Sequence, residues 1–291
     1  MSAALPWPRR ALAATTAREA LEGAFTAIQA AGCETPRLDA ELIVAHVLGI
    51  SRERLLTDPG LLVAPELVRP LQDAVRRRAI EREPVAYIVG RRAFRRLELA
   101  LDARVLIPRP ETELLVQAAV EIVPRGARVL DVGTGSGAVA LALKDERPDL
   151  DVSASDASRA ALEVAEANGA RLGLEVRWLH ADLLVGLADE FDAVVANLPY
   201  VADGERAGLA AEIVRHEPPA ALFAGADGLA AIRALVAQLA DFQRAGVLAL
   251  EIGAGQAAAV SELVREAGFA DVRALRDLAG IERVVLGARG R

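Results

Sequence analysis

One local pattern narrows the fold of this chain more than any other: an apolar strand-like run that breaks into glycines and then opens a helix. Val129-Leu130-Asp131-Val132 reads as a buried strand, Gly133-Thr134-Gly135-Ser136-Gly137 as a turn, and Ala138-Val139-Ala140-Leu141 as the first helical turn. Glycines at such a junction accept positive φ and let a ligand approach the backbone, while the helix N-terminus offers free N–H groups. Around it, the chain beyond residue 105 alternates strand and helix, with strands predicted at 127–132, 150–155, 175–179, 191–196, 247–252, 271–275 and 282–287. Alternation of this kind predicts an α/β fold with a mainly parallel sheet covered on both faces.

The glycine turn suits two ligand classes, dinucleotides and S-adenosylmethionine. A pyrophosphate fingerprint wants G-x-G-x-x-G, whereas residues 133–137 are spaced G-x-G-x-G with Asp131 two positions ahead. An acid there favours a cationic cofactor carrying an amino acid. Asp156, at the end of the second predicted strand, can accept both ribose hydroxyls of an adenosine, a role common to both ligand classes. Asp182, next to Leu183 after the third strand, can accept from an adenine amino group or be an exposed loop acid. The expected cofactor pocket is therefore Asp131, Gly133, Thr134, Gly135, Ser136, Gly137, Asp156, Asp182 and Leu183, with Asn197 at its border.

The N-terminal part has a different period. Thr16-Ala17-Arg18-Glu19 is a capping box leading into Ala20, Leu21, Ala24, Phe25 and Ile28, with Gly32 as the stop. Thr35-Pro36 opens a second helix carrying Leu38, Leu42, Ile43 and Val47 to Gly49; Ser51 caps a third, and Pro65 starts a fourth. Helices this short must pack on one another, so residues 1–83 are expected to form a small helical domain. Val85, Tyr87 and Val89 alternate, as do Leu97, Leu99 and Leu101, with Gly90-Arg91-Arg92 able to turn between them. That predicts a β-hairpin connector over 84–104, leaving 105–291 as the second domain.

Composition excludes several classes. The single cysteine, Cys33, allows no internal disulfide and fits a reducing cytoplasm, and the three histidines, His46, His180 and His216, have no metal-ligand spacing, so no metal is expected. No apolar run reaches the ~18–20 residues of a membrane span, and Pro6, Pro8, Arg9 and Arg10 are not followed by a secretory core. A net charge of −7 argues against a general nucleic-acid coat. The chain has 33 Arg and one Lys (Lys144), with nine Arg against three acids in residues 69–96. That stripe can bind phosphate, face solvent or meet a protein partner.

A fourth buried strand, Phe191–Ala196, ends in Asn197-Leu198-Pro199-Tyr200. The tetrapeptide resembles the [N/D/S]-P-P-[Y/F/W] motif of methyltransferases acting on planar nitrogens. In chain order the sequence carries Glu83–Ile88, Leu106-Ile107-Pro108-Arg109-Pro110-Glu111-Thr112-Glu113, Asp131–Gly137, Asn197–Tyr200, Glu217-Pro218-Pro219-Ala220-Ala221-Leu222-Phe223, Asp227-Gly228-Leu229, Glu251-Ile252-Gly253 and Asp277-Leu278-Ala279-Gly280. This series, over residues 16–288, resembles the HemK/PrmC family of release factor glutamine N5-methyltransferases. The resemblance implies a helical N-terminal domain, a β-hairpin connector and a seven-stranded Rossmann-like domain that uses S-adenosylmethionine. It implies a protein partner, the Gly-Gly-Gln glutamine of class 1 release factors, with no membrane or stable nucleic-acid binding and a monomeric, cytoplasmic enzyme. Two departures stand out: Leu198 where the family usually has the first of two prolines, and Arg95-Arg96 where it commonly has an aromatic-glycine pair.

A carboxamide nitrogen is a poor nucleophile because its lone pair is delocalised. The site must accept hydrogen bonds from both amide N–H groups and hold the reacting atoms in line, about 3–3.5 Å apart. The Asn197 side-chain oxygen and the Leu198 carbonyl suit those acceptor roles. Pro199 stiffens the turn, and the Tyr200 ring can pack on the amide. By resemblance Arg109 and Glu111 border the substrate pocket, though a structural salt bridge accounts for them equally well. Asn-Leu-Pro-Tyr is also typical of ribosomal RNA adenine dimethyltransferases, so nucleic-acid adenine methylation is the competing activity. A nicotinamide oxidoreductase is disfavoured by glycine spacing.

Overall fold

The computed structural model describes residues 15–239 and 245–290. The proline- and arginine-containing start, read above for a secretory signal, lies outside the described residues. The chain divides into two compact units, one containing residues up to Gly90 together with Ala210–His216, the other Arg91–Leu209 and Glu217–Arg291.

In the first unit the local stop and start signals act as written. The Thr16 side chain accepts from the Glu19 N–H and the Glu19 carboxylate accepts from the Thr16 N–H (2.9 Å), which caps α1, Ala17–Ala30. Helix α2 spans Pro36–Leu48 and ends at Gly49 with φ of +65°; α3 (Arg52–Thr57) is capped by Ser51, and α4 runs Pro65–Ala79. Ala20, Leu21, Ile28, Ile43, Leu55, Leu71 and Val75 form their shared core. The face expected of α2 is rotated. Leu38 is exposed, while Asp39 and Glu41 are buried, because Asp39 meets Arg78 at 2.6 Å and Glu41 pairs with Arg37 and Arg52.

Val85–Val89 is a helix, α5, and not the first strand of a hairpin. Pro84 sits at its N-cap and Gly90 closes it at φ +74°, so the two signals that bracket five residues overrule their alternation. The unit boundary accordingly falls at Gly90, inside the stretch 84–104 expected to be connector.

The second unit begins with the hairpin itself, β1 (Arg91–Phe94) antiparallel to β2 (Leu97–Ala100), so Arg91 and Arg92 are strand and Arg95-Arg96 make the turn. Arg95 takes φ of +52°; its N–H donates to Glu113 and its guanidinium pairs with Glu146 at 2.6 Å. Those contacts offset the ~1–2 kcal/mol that a left-handed non-glycine residue costs. Then follow α6 (Thr112–Ile122), β3 (Arg128–Val132), α7 (Ala138–Glu146), β4 (Asp151–Asp156), α8 (Arg159–Leu172), β5 (Arg177–His180) and β6 (Ala193–Ala196). The chain continues through α9 (Ala211–His216), α10 (Ala230–Leu239), β7 (Val247–Glu251), α11 (Ala257–Glu266), β8 (Asp271–Arg276) and β9 (Glu282–Ala288).

Seven strands form one sheet in the order β5-β4-β3-β6-β7-β9-β8, with β9 antiparallel to both neighbours and the others parallel. Strand order reverses at β3, whose neighbours are β4 and β6, and open α/β sheets bind ligands at the carboxyl ends beside such a point. Each predicted strand is present, shifted by no more than two residues. Leu130, Val194, Leu248 and Val285 lie in its core.

Helix α9 was not foreseen as part of the first unit. Its Glu212 accepts from Arg78 (3.2 Å) and Arg82 (3.0 Å), and the His216 ring nitrogen bonds the Glu81 carbonyl. Among the described residues no helix is long and apolar enough to cross a membrane, and no group of three or more metal-binding side chains occurs.

Candidate active site

Register places the motifs side by side. Val132 pairs with Ser155 on one flank and Ala196 on the other, and Ala196 pairs with Leu250. The glycine loop, Asp156, Asn197 and Glu251 therefore leave the sheet at one edge, although they are far apart in sequence.

The loop is built from glycines at φ +73° (Gly133), +55° (Gly135) and +83° (Gly137). A Cβ on Gly137 would press on Leu141, Trp178 and Ala165, so its absence lets α7 sit close on the sheet. A Cβ on Gly135 would meet nothing within 4 Å, leaving open space above the loop. Four of the five loop N–H groups are already engaged. Gly133 and Thr134 both donate to the Ser155 carbonyl, Gly135 donates to Asp156 Oδ2 at 2.9 Å, and Gly137 donates to the Thr134 carbonyl. A pyrophosphate needs those donors free; a ligand that fills space and bonds to side chains does not.

Asp131 faces its own loop. Its Oδ2 accepts from the Thr134 hydroxyl (2.6 Å) and the Ala140 N–H (3.1 Å), and burial pushes its pKa up to about 7. Ser136 is buried, its carbonyl accepting from Asn168, which also clasps both backbone groups of Ala100. Asp156 accepts Gly135 N–H on one oxygen and Ser158 N–H on the other. A carboxylate has about four acceptor positions, so two remain for ribose hydroxyls. Asp182 is exposed on a turn where half-buried Leu183 holds φ of +53°. These residues fit S-adenosylmethionine: an acid-flanked glycine cradle with open space and a free pair of acceptor sites on Asp156.

Asn197 donates through Nδ2 to the Thr112 hydroxyl at 3.0 Å, which leaves Oδ1 as the amide's other face. Leu198 is buried, its Cδ2 lying 3.0 Å from where a Cβ on Gly133 would stand, so the tetrapeptide rests on the glycine loop. Its side chain is thus a packing element as well as a bearer of a carbonyl. The Tyr200 hydroxyl donates to Glu251 Oε1 (3.3 Å), and burial together with Glu251 drives its pKa upward, so the phenol keeps its proton. Gln256 donates to the Tyr200 carbonyl (2.9 Å) while accepting from the Gly253 N–H (2.8 Å), and a Cβ on Gly228 would clash with that same carbonyl. Turn rigidity thus comes from Gln256 and Gly228 in addition to Pro199.

Arg109 is committed to Glu217, whose carboxylate it meets at 2.6 Å and which also accepts from the Ile107 N–H. It still faces Tyr200 closely enough to lower its pKa, and Glu111 likewise raises that of Glu251. Thr112, Asn168, Gly228, Glu251 and Gln256 carry no role in the sequence reading. Thr112, Gly228 and Glu251 do fall within the quoted motifs, but no local pattern marks which atoms they touch.

A family model described as the PrmC N-terminal domain matches residues 19–90, and one described as the methyltransferase small domain matches residues 110–227. Release factor glutamine methyltransferase of Rhodospirillum rubrum is 42% identical over 266 residues, covering 90% of this chain and 82% of the relative. The Deinococcus radiodurans protein of the same description is 41% identical, covering 94% and 98%. Among solved structures, a methyltransferase from Pyrococcus furiosus shares the fold at a TM-score of 0.51 and 15% identity, over 79% of this chain and all of that one.

Proposed function

The chain belongs to the release factor glutamine methyltransferase family, and from that premise we propose how its own residues carry methyl transfer to a glutamine side-chain amide, with the Gly-Gly-Gln glutamine of class 1 release factors as substrate. The carrying observation is the Asn197 amide, tethered through Nδ2 to Thr112 with Oδ1 left to accept, beside the glycine loop.

When bound, S-adenosylmethionine supplies a methyl group activated on a sulfonium. Gly133, Thr134, Gly135, Ser136 and Gly137 would border it, Asp131 would offer negative charge to its amino-acid end, Asp156 would take the ribose hydroxyls, and Asp182 with Leu183 would meet the adenine. Asn197 Oδ1 and the Leu198 carbonyl accept one glutamine N–H each, fixing the nitrogen and favouring the positive charge that develops there. Acceptors aimed at developing charge typically contribute ~10²–10³ in rate. Tyr200, held protonated and pinned by Gln256, provides a flat wall for the amide. The methylated nitrogen then releases one proton to water, since no base stands at the acceptor face.

The competing adenine activity draws on the basic stripe of residues 69–96. Seven of its nine arginines are engaged with acids: Arg76 with Glu81, Arg77 with Glu83, Arg78 and Arg82 with Glu212, Arg91 with Glu98, Arg95 with Glu146, and Arg96 with Asp145. Arg78, Arg82 and Arg95, paired and largely shielded from solvent, offer little to phosphate, which supports the protein substrate. We also propose a cytoplasmic, monomeric enzyme, since release factors work in translation in the cytoplasm. The test is incubation with methyl-labelled S-adenosylmethionine and either a Gly-Gly-Gln release factor or ribosomal RNA, followed by mass-spectrometric mapping. Methylglutamine is expected; label on adenine with none on glutamine refutes the reading.

A further inference from the structure

We propose that the turn over residues 277–281 is a docking knob for the protein substrate, with Leu278 at its tip packing on the chain segment that carries the target glutamine. This rests on the protein-glutamine reading above.

Strand register puts this turn at the mouth of the site. β9 runs antiparallel to β7 with Val284 opposite Glu251, and the Ile252 N–H donates to the Arg283 carbonyl (2.8 Å). The turn that joins β8 to β9 therefore leaves the sheet at the same edge as Asn197 and Tyr200, which follow β6. In the sheet order β9 stands two strands from β6, a lateral offset of ~10 Å at ~4.8 Å per strand. A protein partner of ordinary size covers ~800 Å² on each side, a disc of ~16 Å radius. A footprint centred on Asn197 thus takes in the turn.

The turn holds its own shape without its apolar side chains. Asp277 Oδ1 accepts from the N–H groups of Ala279 and Ile281 (2.9 Å each), and Oδ2 accepts from Arg283 (3.2 Å). The Asp277 N–H donates to the Ile281 carbonyl, the Gly280 N–H to the Asp277 carbonyl, and Gly280 takes φ of +80°. Leu278 rides on this frame at 111% exposure, the most exposed large apolar side chain among the described residues, and Ile281 on the same turn is 37% exposed. Single exposed leucines are ordinary, but this one is presented on a rigid frame beside a site. A knob so fixed loses little freedom when covered. The partner's chemistry follows from the charges around it. Arg276 pairs with Glu282 and Arg283 with Asp277, so the tip offers leucine and no free cation. That suits an apolar stretch of protein and gives a phosphate backbone nothing to bind.

The test is steady-state methyl transfer to intact release factor by Leu278→Ser, with S-adenosylmethionine affinity from calorimetry and the urea midpoint measured in parallel. Losing one buried leucine from an interface should raise KM for the release factor about tenfold. Cofactor affinity should stay within about twofold and the urea midpoint should not move, because the side chain touches neither the cofactor residues nor the core. Leu278→Met, which keeps an apolar tip, should bring KM back to within about threefold of wild type. A second measurement reads burial directly: with Leu278→Cys in a Cys33→Ala background, saturating release factor and S-adenosylhomocysteine should slow maleimide labelling at least tenfold. A serine variant with unchanged KM, a methionine variant no better than serine, or a thiol labelled equally fast with and without release factor overturns the docking role. Wild-type protein that leaves the release factor unmethylated and modifies RNA overturns instead the protein-glutamine reading on which this one stands.

Discussion

Gly133→Ala tests whether the glycine loop and the catalytic tetrapeptide form one mechanical unit. Gly133 holds φ of +73°, and an alanine Cβ there would stand 3.0 Å from Leu198 Cδ2. Two separable costs follow. Left-handed backbone costs an alanine ~1–2 kcal/mol, and forcing a methyl into a packed core costs ~1–3 kcal/mol more. Together they lower stability by about 2–5 kcal/mol, which for a unit of this size corresponds to a Tm drop of roughly 5–15 °C. Only the second cost depends on Leu198. Leu198→Ala alone should cost about 2–4 kcal/mol, as truncation of a buried leucine does. The double variant should then be more stable than the sum of the singles by about 1–3 kcal/mol, the clash having been relieved. Trp178 lies against Gly137 and Gly169 in the same unit, so urea unfolding of the ligand-free protein can be followed by its fluorescence in a Trp7→Phe background. Contacts produce non-additivity, and independent sites add within ~0.5 kcal/mol. Additivity would mean that Leu198 yields to the added methyl without cost, and the loop and the tetrapeptide would not be one mechanical unit.

Stability should also fall as pH rises from about 5 to 7. Asp131 and Glu251 have folded pKa values of about 7, above their ordinary 3.8 and 4.5, so the folded chain holds protons that the unfolded chain has released. Each contributes a slope of at most ~1.4 kcal/mol per pH unit. Urea midpoints at pH 5, 6, 7 and 8 check this, and a rise across the interval would refute it. Leu198→Pro keeps the carbonyl and should retain glutamine methylation within about tenfold, ~1.4 kcal/mol of barrier. Its urea midpoint should nevertheless drop, because the buried leucine side chain is lost from the core it shares with Leu130 and Val194; an unchanged midpoint would show that the leucine packing is immaterial. Removing residues 1–90 should leave a remainder that binds S-adenosylmethionine, measured by calorimetry. The same truncation takes away Arg78 and Arg82, the partners of Glu212, so trypsin should cut at Arg215 in the truncated protein and not in the full chain.

What the sequence alone determined is whatever a few neighbouring residues can encode. The capping box Thr16–Glu19, the Pro36 and Pro65 helix starts, the Gly49 stop and the seven strand runs all rest on contacts within one turn or on the period of a single element. The Gly133–Gly137 loop was legible for the same reason: its positive φ values are a property of its own residues. Local alternation misled only at Val85–Val89, where Pro84 and Gly90 bracketed the segment more strongly than its period of two. The basic stripe read as exposed charge, yet its arginines found acids such as Glu146, 51 residues from Arg95, and Glu212, 134 residues from Arg78. The site's polarity belongs wholly to the tertiary structure. Asn197 and Thr112 are 85 residues apart, Tyr200 and Glu251 are 51 apart, and Arg109 and Glu217 are 108 apart. Hydrogen-bond direction depends on which donor meets which acceptor to within a few tenths of an ångström, and only the packing of β3, β6, β7 and α6 brings those atoms together.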